Sequence, residues 1–208
     1  MTGTGLVLGF HGCDEKVAER ILAGKEHVSI SENNHDWLGT GAYFWENSPL
    51  RALRWAHLVH DHPQHFRHRI RKRAVVGAII ETGYSLDLTQ SESLAFLKEA
   101  WKNLKEVCET TAAPIPVNEP GFSGDLDLVK RHLDCAVINI AHVAREARGF
   151  QPYDTVRGAF PEGSPLLYEG SRIMEQTHVQ ICVRHPRRSI RGYFRPLPHE
   201  EFSAVRNR

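Results

Sequence analysis

The sequence predicts an α+β fold built on a mostly antiparallel or split sheet. Three observations lead there. Short apolar or alternating runs, the mark of strands, cluster at both ends of the chain. Two long amphipathic patterns fill the middle, from about 91 to 148. The remaining helices are local and do not alternate regularly with the strands. The 208 residues suffice for one fairly large domain or a domain with an insertion. A single domain over 1–208, with the 91–148 stretch as a helical insertion, is therefore expected.

Leu6 to Phe10 is a short apolar strand running into His11, Gly12 and Cys13. Asp14 caps a helix with Val17, Ala18, Ile21 and Leu22 on one face, and Gly24 stops it. Ser29 to Asp36 is polar and reads as a loop. The stretch from Trp37 to Ala56 organises the rest. Gly39 and Gly41 let the backbone bend and let another molecule approach. Tyr43, Phe44 and Trp45 form a short strand with alternating faces. Asn47 or Ser48 caps the next helix, with Pro49 at its first position. That helix runs to about His60, with Leu50, Leu53 and Ala56 expected inward.

Ala74 to Ile80 is a continuous apolar run and reads as a buried strand. Leu86 to Ser91 closes that region. Ser91 or Ser93 starts a helix with Leu94, Leu97, Trp101, Leu104 and Cys108 on one stripe. A loop from Ala112 to Gly124 leads to a second long helix, about Asp125 to Arg148. Its expected inward residues are Leu126, Val129, Leu133, Val137, Ile140 and Ala144. Tyr153 to Phe160, Glu175 to Val183 and Ser189 to Arg195 read as strands, with a turn-rich loop from Pro161 to Gly170.

The formal net charge of +1 names no partner. No apolar run approaches membrane-spanning length. The opening Met-Thr-Gly-Thr-Gly lacks a basic region followed by an apolar one, so no signal peptide is expected. Cys13, Cys108, Cys135 and Cys182 are scattered and form no CxxC pair. That argues against a zinc site or a disulfide framework and suits a reducing, cytoplasmic setting. His57, His60, His62, His65 and His68 are mixed with Arg67, Arg69, Arg71, Lys72 and Arg73 and follow no recognised metal-site pattern. A solvated basic edge is expected, able to meet phosphates or an acidic partner.

His11, Tyr43 and Glu175 stand at strand mouths beside glycines or a turn-rich loop. Phe-His11-Gly12, Gly39-Thr-Gly41-Ala-Tyr43-Phe44 and a late Glu175 opening a strand resemble the His–Tyr–Glu class of ADP-ribosyltransferases. This is the poly(ADP-ribose) polymerase and diphtheria-toxin-like branch, and the look is that of small bacterial toxin–antitoxin or phage-defence domains. The resemblance covers about the first sixty and the last fifty residues. It implies an ADP-ribosyltransferase-like split sheet, NAD as co-substrate and no metal.

By this resemblance His11 bonds a ribose hydroxyl and Gly12 offers backbone groups to the nicotinamide carboxamide. Gly41 and Tyr43 line the nicotinamide ring, and Glu175 bonds the nicotinamide ribose. Arg157 pairs with the diphosphate or anchors the sheet edge. Arg51 and Arg54 stand where the branch carries a serine and a second stacking tyrosine, so Trp55 or Trp45 is left to supply that ring. Glu162 and Glu169 lie where this class meets its acceptor. The implied activity is transfer of single ADP-ribose units to a protein or nucleic acid, by a toxin or defence effector with a possible antitoxin partner. The alternatives are a non-catalytic NAD- or ADP-ribose-binding module, or an NAD glycohydrolase.

Overall fold

The computed structural model describes residues 5–121, 127–163 and 167–196. Seven strands form one sheet: β1 (Leu6–Asp14), β2 (Ala42–Glu46), β3 (Arg73–Glu81), β4 (Ser85–Asp87), β5 (Thr155–Phe160), β6 (His178–Val183) and β7 (Ile190–Phe194). Their order is β4-β5-β6-β2-β1-β3-β7. Only β4 and β5 run parallel, so the architecture is mixed helix and sheet with mostly antiparallel pairing, as an α+β fold requires. No helix among the described residues is long and apolar enough to cross a membrane.

The helices are α1 (Glu15–Leu22), α2 (Pro49–Asp61), α3 (Ser91–Thr111), α4 (His132–Ala147) and α5 (Pro186–Ser189). Asp14 caps α1 by accepting the Lys16 N–H at 3.0 Å. Its other oxygen accepts from the backbone N–H groups of Arg71 and Lys72, which ties the end of β1 to the start of β3. On one face of the sheet, Ile21 of α1 packs with Phe44, Val76, Ala78, Ile80, Ile181 and Val183. On the other, Leu38, Ile138, Val156, Phe160 and Cys182 form a second core beneath α4. All four cysteines are buried and free.

Two helices present different faces from those expected. α2 buries Ala52, Ala56 and Val59, while Leu50 and Leu53 are only half-buried. The reason is a close approach: a Cβ on Gly12 would collide with Ala52 O and lie 3.0 Å from Ala52 C and 3.2 Å from Ala56 N. Only small residues let α2 lie this close to β1. α4 buries Cys135, Ile138, Ala141 and His142. Leu133, Val137, Ile140 and Ala144 are half-buried. This helix also begins at His132 rather than near 125; Gly124, Asp125 and Leu126 lie outside the described residues.

Candidate functional site

The sheet opens between β1 and β2. Leu8 O accepts from Asn47 N at 2.8 Å, and Phe10 pairs with Trp45. By the alternation of an antiparallel ladder, Gly12 and Tyr43 are the next pair due to exchange hydrogen bonds. The pairing ends before them, at Phe10 and Trp45. Tyr43 O instead meets His11 Nδ1 at 2.9 Å. An imidazole thus stands in for a ladder bond, and the buried Gly12 has no strand paired with its N–H and C=O on this side among the described residues. β3 covers the other edge of β1 along its whole length.

A carbonyl only accepts, so His11 carries its hydrogen on Nδ1. Burial lowers its pKa below the usual histidine value, against the opposing effect of the Tyr43 carbonyl. The ring is therefore neutral near pH 7, and Nε2 is a bare acceptor. Among the described residues Nε2 makes no hydrogen bond, and the half-buried ring rests against Phe44, centroids 5.9 Å apart.

The Tyr43 side chain leaves on the opposite face. Its hydroxyl donates to Gly39 O at 2.6 Å and accepts from Leu38 N at 2.8 Å. Burial, then Cys182 and Asp36 nearby, push its pKa well up. The phenol pins the Trp37–Gly41 turn to β2. His11 and Tyr43 meet through a backbone carbonyl, not through their rings.

Glu175 does not join them. It is exposed in a turn and makes no hydrogen bond or ion pair among the described residues. The expected strand start at 175 is corrected to His178. The chain turns first, with Gln176 N donating to Glu162 O and Thr177 N to Met174 O. Phe44 pairs with Ile181. Glu175 lies before β6, in the turn, and not on a strand that pairs with β2.

The other expected contacts have structural duties. Gly41 exchanges both backbone hydrogen bonds with Ser31, and a side chain there would strike Cys182 Sγ and lie 2.9 Å from Val183 O. Trp55 sits on the outer side of α2 against Trp45 and Phe66. Arg157 clamps three strands: Nε donates to Glu46 at 2.6 Å and Nη1 to Asp87 at 3.2 Å. Its hydrogen bond to Glu46 raises its pKa further. Glu169 is exposed.

A second group of polar residues gathers on the Tyr43 face, where the ends of β2 and β5 meet the start of β6. Arg51 Nη2 donates to Glu162 Oε2 at 2.7 Å and Nη1 to Gln176 Oε1 at 2.7 Å. Both partners of the ion pair are mostly buried, with side chains 15% and 20% exposed. Desolvation raises the Glu162 pKa despite Arg51, and lowers that of Arg51 despite Glu162. His178 Nδ1 donates to Gln176 O at 2.8 Å, and Nε2 accepts from the Gln180 amide at 3.1 Å. Burial lowers its pKa to about 4, so it is neutral at pH 7.

The Trp37 and Phe160 rings flank His178, each 5.9 Å from it. The Arg131 guanidinium lies 4.1 Å from the Trp37 centroid. Arg51 and Glu162 were both singled out in the sequence, though not as partners of each other. The part played by Arg131 has no signal there.

The Arg51–Glu162 pair carries a test. Arg51→Met strands a desolvated carboxylate and is expected to cost about 1–3 kcal/mol in urea unfolding. Adding Glu162→Leu to Arg51→Met should recover much of that loss, because the orphaned charge goes with it. If the double variant is no more stable than the single one, the cost lies elsewhere.

No family model matches this chain, and no solved structure matches it. An uncharacterized protein of the archaeon Methanocaldococcus jannaschii is 28% identical over 196 residues. The match spans 85% of this chain and 81% of the archaeal one. The chain is thus similar, over most of both lengths, to a protein whose description states no activity.

Proposed function

We propose that the chain is an NAD-dependent ADP-ribosyltransferase that moves single ADP-ribose units to a macromolecular acceptor, protein or nucleic acid, with NAD held at the opening between β1 and β2. One observation carries this reading: the unpaired Gly12 peptide edge beside a neutral imidazole acceptor. A primary carboxamide offers an N–H donor and a C=O acceptor on one planar edge. It therefore complements the Gly12 N–H and C=O as a further strand would. Nε2 of His11 is suited to accept from a ribose hydroxyl. The parting of β1 and β2 supports the finer fold expectation, the split sheet of the His–Tyr–Glu class. The toxin or defence role, with an antitoxin partner, belongs to the same proposal.

In the reaction the bond from the nicotinamide nitrogen to the ribose C1′ breaks, and its electron pair leaves with nicotinamide. The acceptor nucleophile bonds to C1′ and releases a proton. Positive charge develops on the sugar between these events, and a carboxylate stabilises it. In this reading Glu162 takes that role in place of Glu175. It is a mostly buried carboxylate on the Tyr43 face, whereas Glu175 stands in solvent.

A specific observation favours the second reading, a non-catalytic NAD- or ADP-ribose-binding module. Glu162 is already paired with Arg51, and no carboxylate hydrogen-bonds His11 among the described residues.

NAD labelled in both halves, incubated with the protein and a cell lysate, separates the readings. Transfer releases nicotinamide and leaves the adenylate label on a macromolecule. Under that reading Glu162→Gln lowers turnover by about a hundredfold or more, and Glu175→Gln leaves it unchanged. His11→Ala weakens NAD binding by roughly tenfold, the worth of one hydrogen bond. Binding without nicotinamide release supports the module. Release without a labelled acceptor means hydrolysis. The absence of NAD binding by calorimetry would overturn the donor site itself.

A further inference from the structure

The geometry points to a binding surface for single-stranded nucleic acid on the outer side of α2, built from Trp55 and the arginines of the segment 67–73. Between His57 and Arg73 the chain carries Arg67, Arg69, Arg71, Lys72 and Arg73 against a single acid, Asp61. All five cationic side chains are exposed. Lys72 pairs with Glu15, and Arg73 Nη1 rests 3.1 Å from His57 Nδ1. Arg67, Arg69 and Arg71 form no side-chain ion pair among the described residues. The whole chain is nearly neutral, so this excess is local.

The segment is anchored in place. Ile70 is buried against Ala56 and Val59, with Phe66 packed beside them. His60 Nδ1 donates to Ile70 O at 2.9 Å. The Asp14 carboxylate accepts from the backbone N–H groups of Arg71 and Lys72 at 2.7 and 3.1 Å. These bonds hold the arginine backbone against the body of the fold and leave the guanidinium groups outside. An acidic protein would satisfy charge alone. The choice of nucleic acid rests on Trp55, a large aromatic residue left 37% exposed. Its ring contacts the Phe66 ring edge to face at 5.1 Å, one residue from Arg67. Phosphates matched by arginines beside an aromatic ring on which a base stacks are the general means of holding single strands. The surface does not depend on the donor reading; if both hold, it names the acceptor.

The test uses fluorescence anisotropy with labelled oligo-uridine and oligo-deoxythymidine of about 15 nucleotides. A duplex of the same length and heparin serve as comparisons. Binding is expected at low salt, with affinity falling linearly on a logarithmic salt axis. The double substitution Arg67→Ser and Arg69→Ser, on exposed positions, should weaken binding about tenfold or more and reduce the salt slope by about 1.4. Trp55→Ala should weaken oligonucleotide binding severalfold while heparin binding holds. Trp55→Phe, which keeps an aromatic ring, should restore much of the loss and guards against misfolding. The absence of oligonucleotide binding at about 50 mM salt overturns the proposal. So does heparin binding that matches oligonucleotide binding and ignores Trp55, which would make the surface one for acidic proteins.

Discussion

Gly12→Ala is expected to lower the stability of the fold by about 3 kcal/mol, the upper part of the range for overpacking a filled interior. For a chain of this size that corresponds to a fall in melting temperature on the order of 10 °C. The added methyl would meet Ala52 O inside contact distance, with Ala52 C at 3.0 Å and Ala56 N at 3.2 Å. All three are backbone atoms in the middle of α2. A rotamer change relieves a clash with a side chain, but here only movement of the helix does. That movement disturbs the packing of Ala52 with Phe10 and Trp45.

Gly192→Ala is the matched control. It sits on β7, where an added Cβ meets nothing within 4 Å. It should be neutral within a few tenths of a kcal/mol, or slightly stabilising through the lost freedom of the unfolded chain. Equal melting temperatures for the two variants would mean that α2 does not lie as close to β1 as described.

The same contact explains what the sequence conceals. Strands were legible because alternation and apolar runs report burial directly: six of the seven overlap an expected strand, and β5, β6 and β7 lie within theirs. The inner face of α2 was not. Leu50 and Leu53 look like core residues of an amphipathic helix, as does Ala56, which is indeed buried, whereas Ala52 looks indifferent. What decides is Gly12, on another element some forty residues away, where the missing side chain makes room for a helix backbone. The start of β6 misled for a related reason. Glu175, Gln176 and Thr177 continue the alternation of His178 to Val183, yet hydrogen bonds from Gln176 N to Glu162 O and from Thr177 N to Met174 O fold them into a turn.

For the residues expected at a site, the element that carries each was readable and its orientation was not. His11 and Gly12 were singled out, and the structure sets them at the opening of the sheet. Tyr43 was singled out too, but its hydroxyl turns back to Leu38 and Gly39. Whether a strand tyrosine faces a cleft or its own preceding turn depends on which face of the sheet is covered there. That depends in turn on α4, whose register against the sheet no local pattern reveals. Arg157 shows the same limit. An arginine in a strand can wait for a phosphate or bridge neighbouring strands, and only the arrival of Glu46 and Asp87 from distant positions selects the bridge.

The protein should lose stability as pH falls below about 6.5, well before its ordinary carboxylates titrate, by about 4 kcal/mol at pH 5. Two buried histidines, His142 and His178, supply that figure, and His11, whose pKa burial also lowers, adds to the loss in the same direction. His142 is 4% exposed and His178 6%. Burial, with Arg184 and His185 nearby, lowers the His142 pKa to about 3. Burial lowers that of His178 to about 4, against the pull of the Gln176 carbonyl. In the unfolded chain both take up a proton near pH 6.5; in the folded chain neither does until pH 4 or below. Between those limits the unfolded state holds more protons, so stability rises with pH and falls on acidification. Each histidine contributes about 2 kcal/mol of loss at pH 5, since a unit of pKa difference is worth about 1.4 kcal/mol. The loss levels off only below the folded values.

The two differ in a way that permits a clean test. Both His178 ring nitrogens are bonded, to Gln176 O and to the Gln180 amide. Neither ring nitrogen of His142 has a hydrogen-bond partner among the described residues. His142→Leu removes two unsatisfied buried polar atoms along with one titrating group. At pH 7.5 the variant should be as stable as the parent or more so, by about 1 kcal/mol. Toward pH 5 its loss should be smaller than the parent's by about 2 kcal/mol, the share of His142. Urea midpoints at the two pH values measure both. A variant whose acid sensitivity equals the parent's would show that His142 is already protonated in the folded state or reaches solvent, and that the interior between α4 and the sheet is wetter than its packing implies.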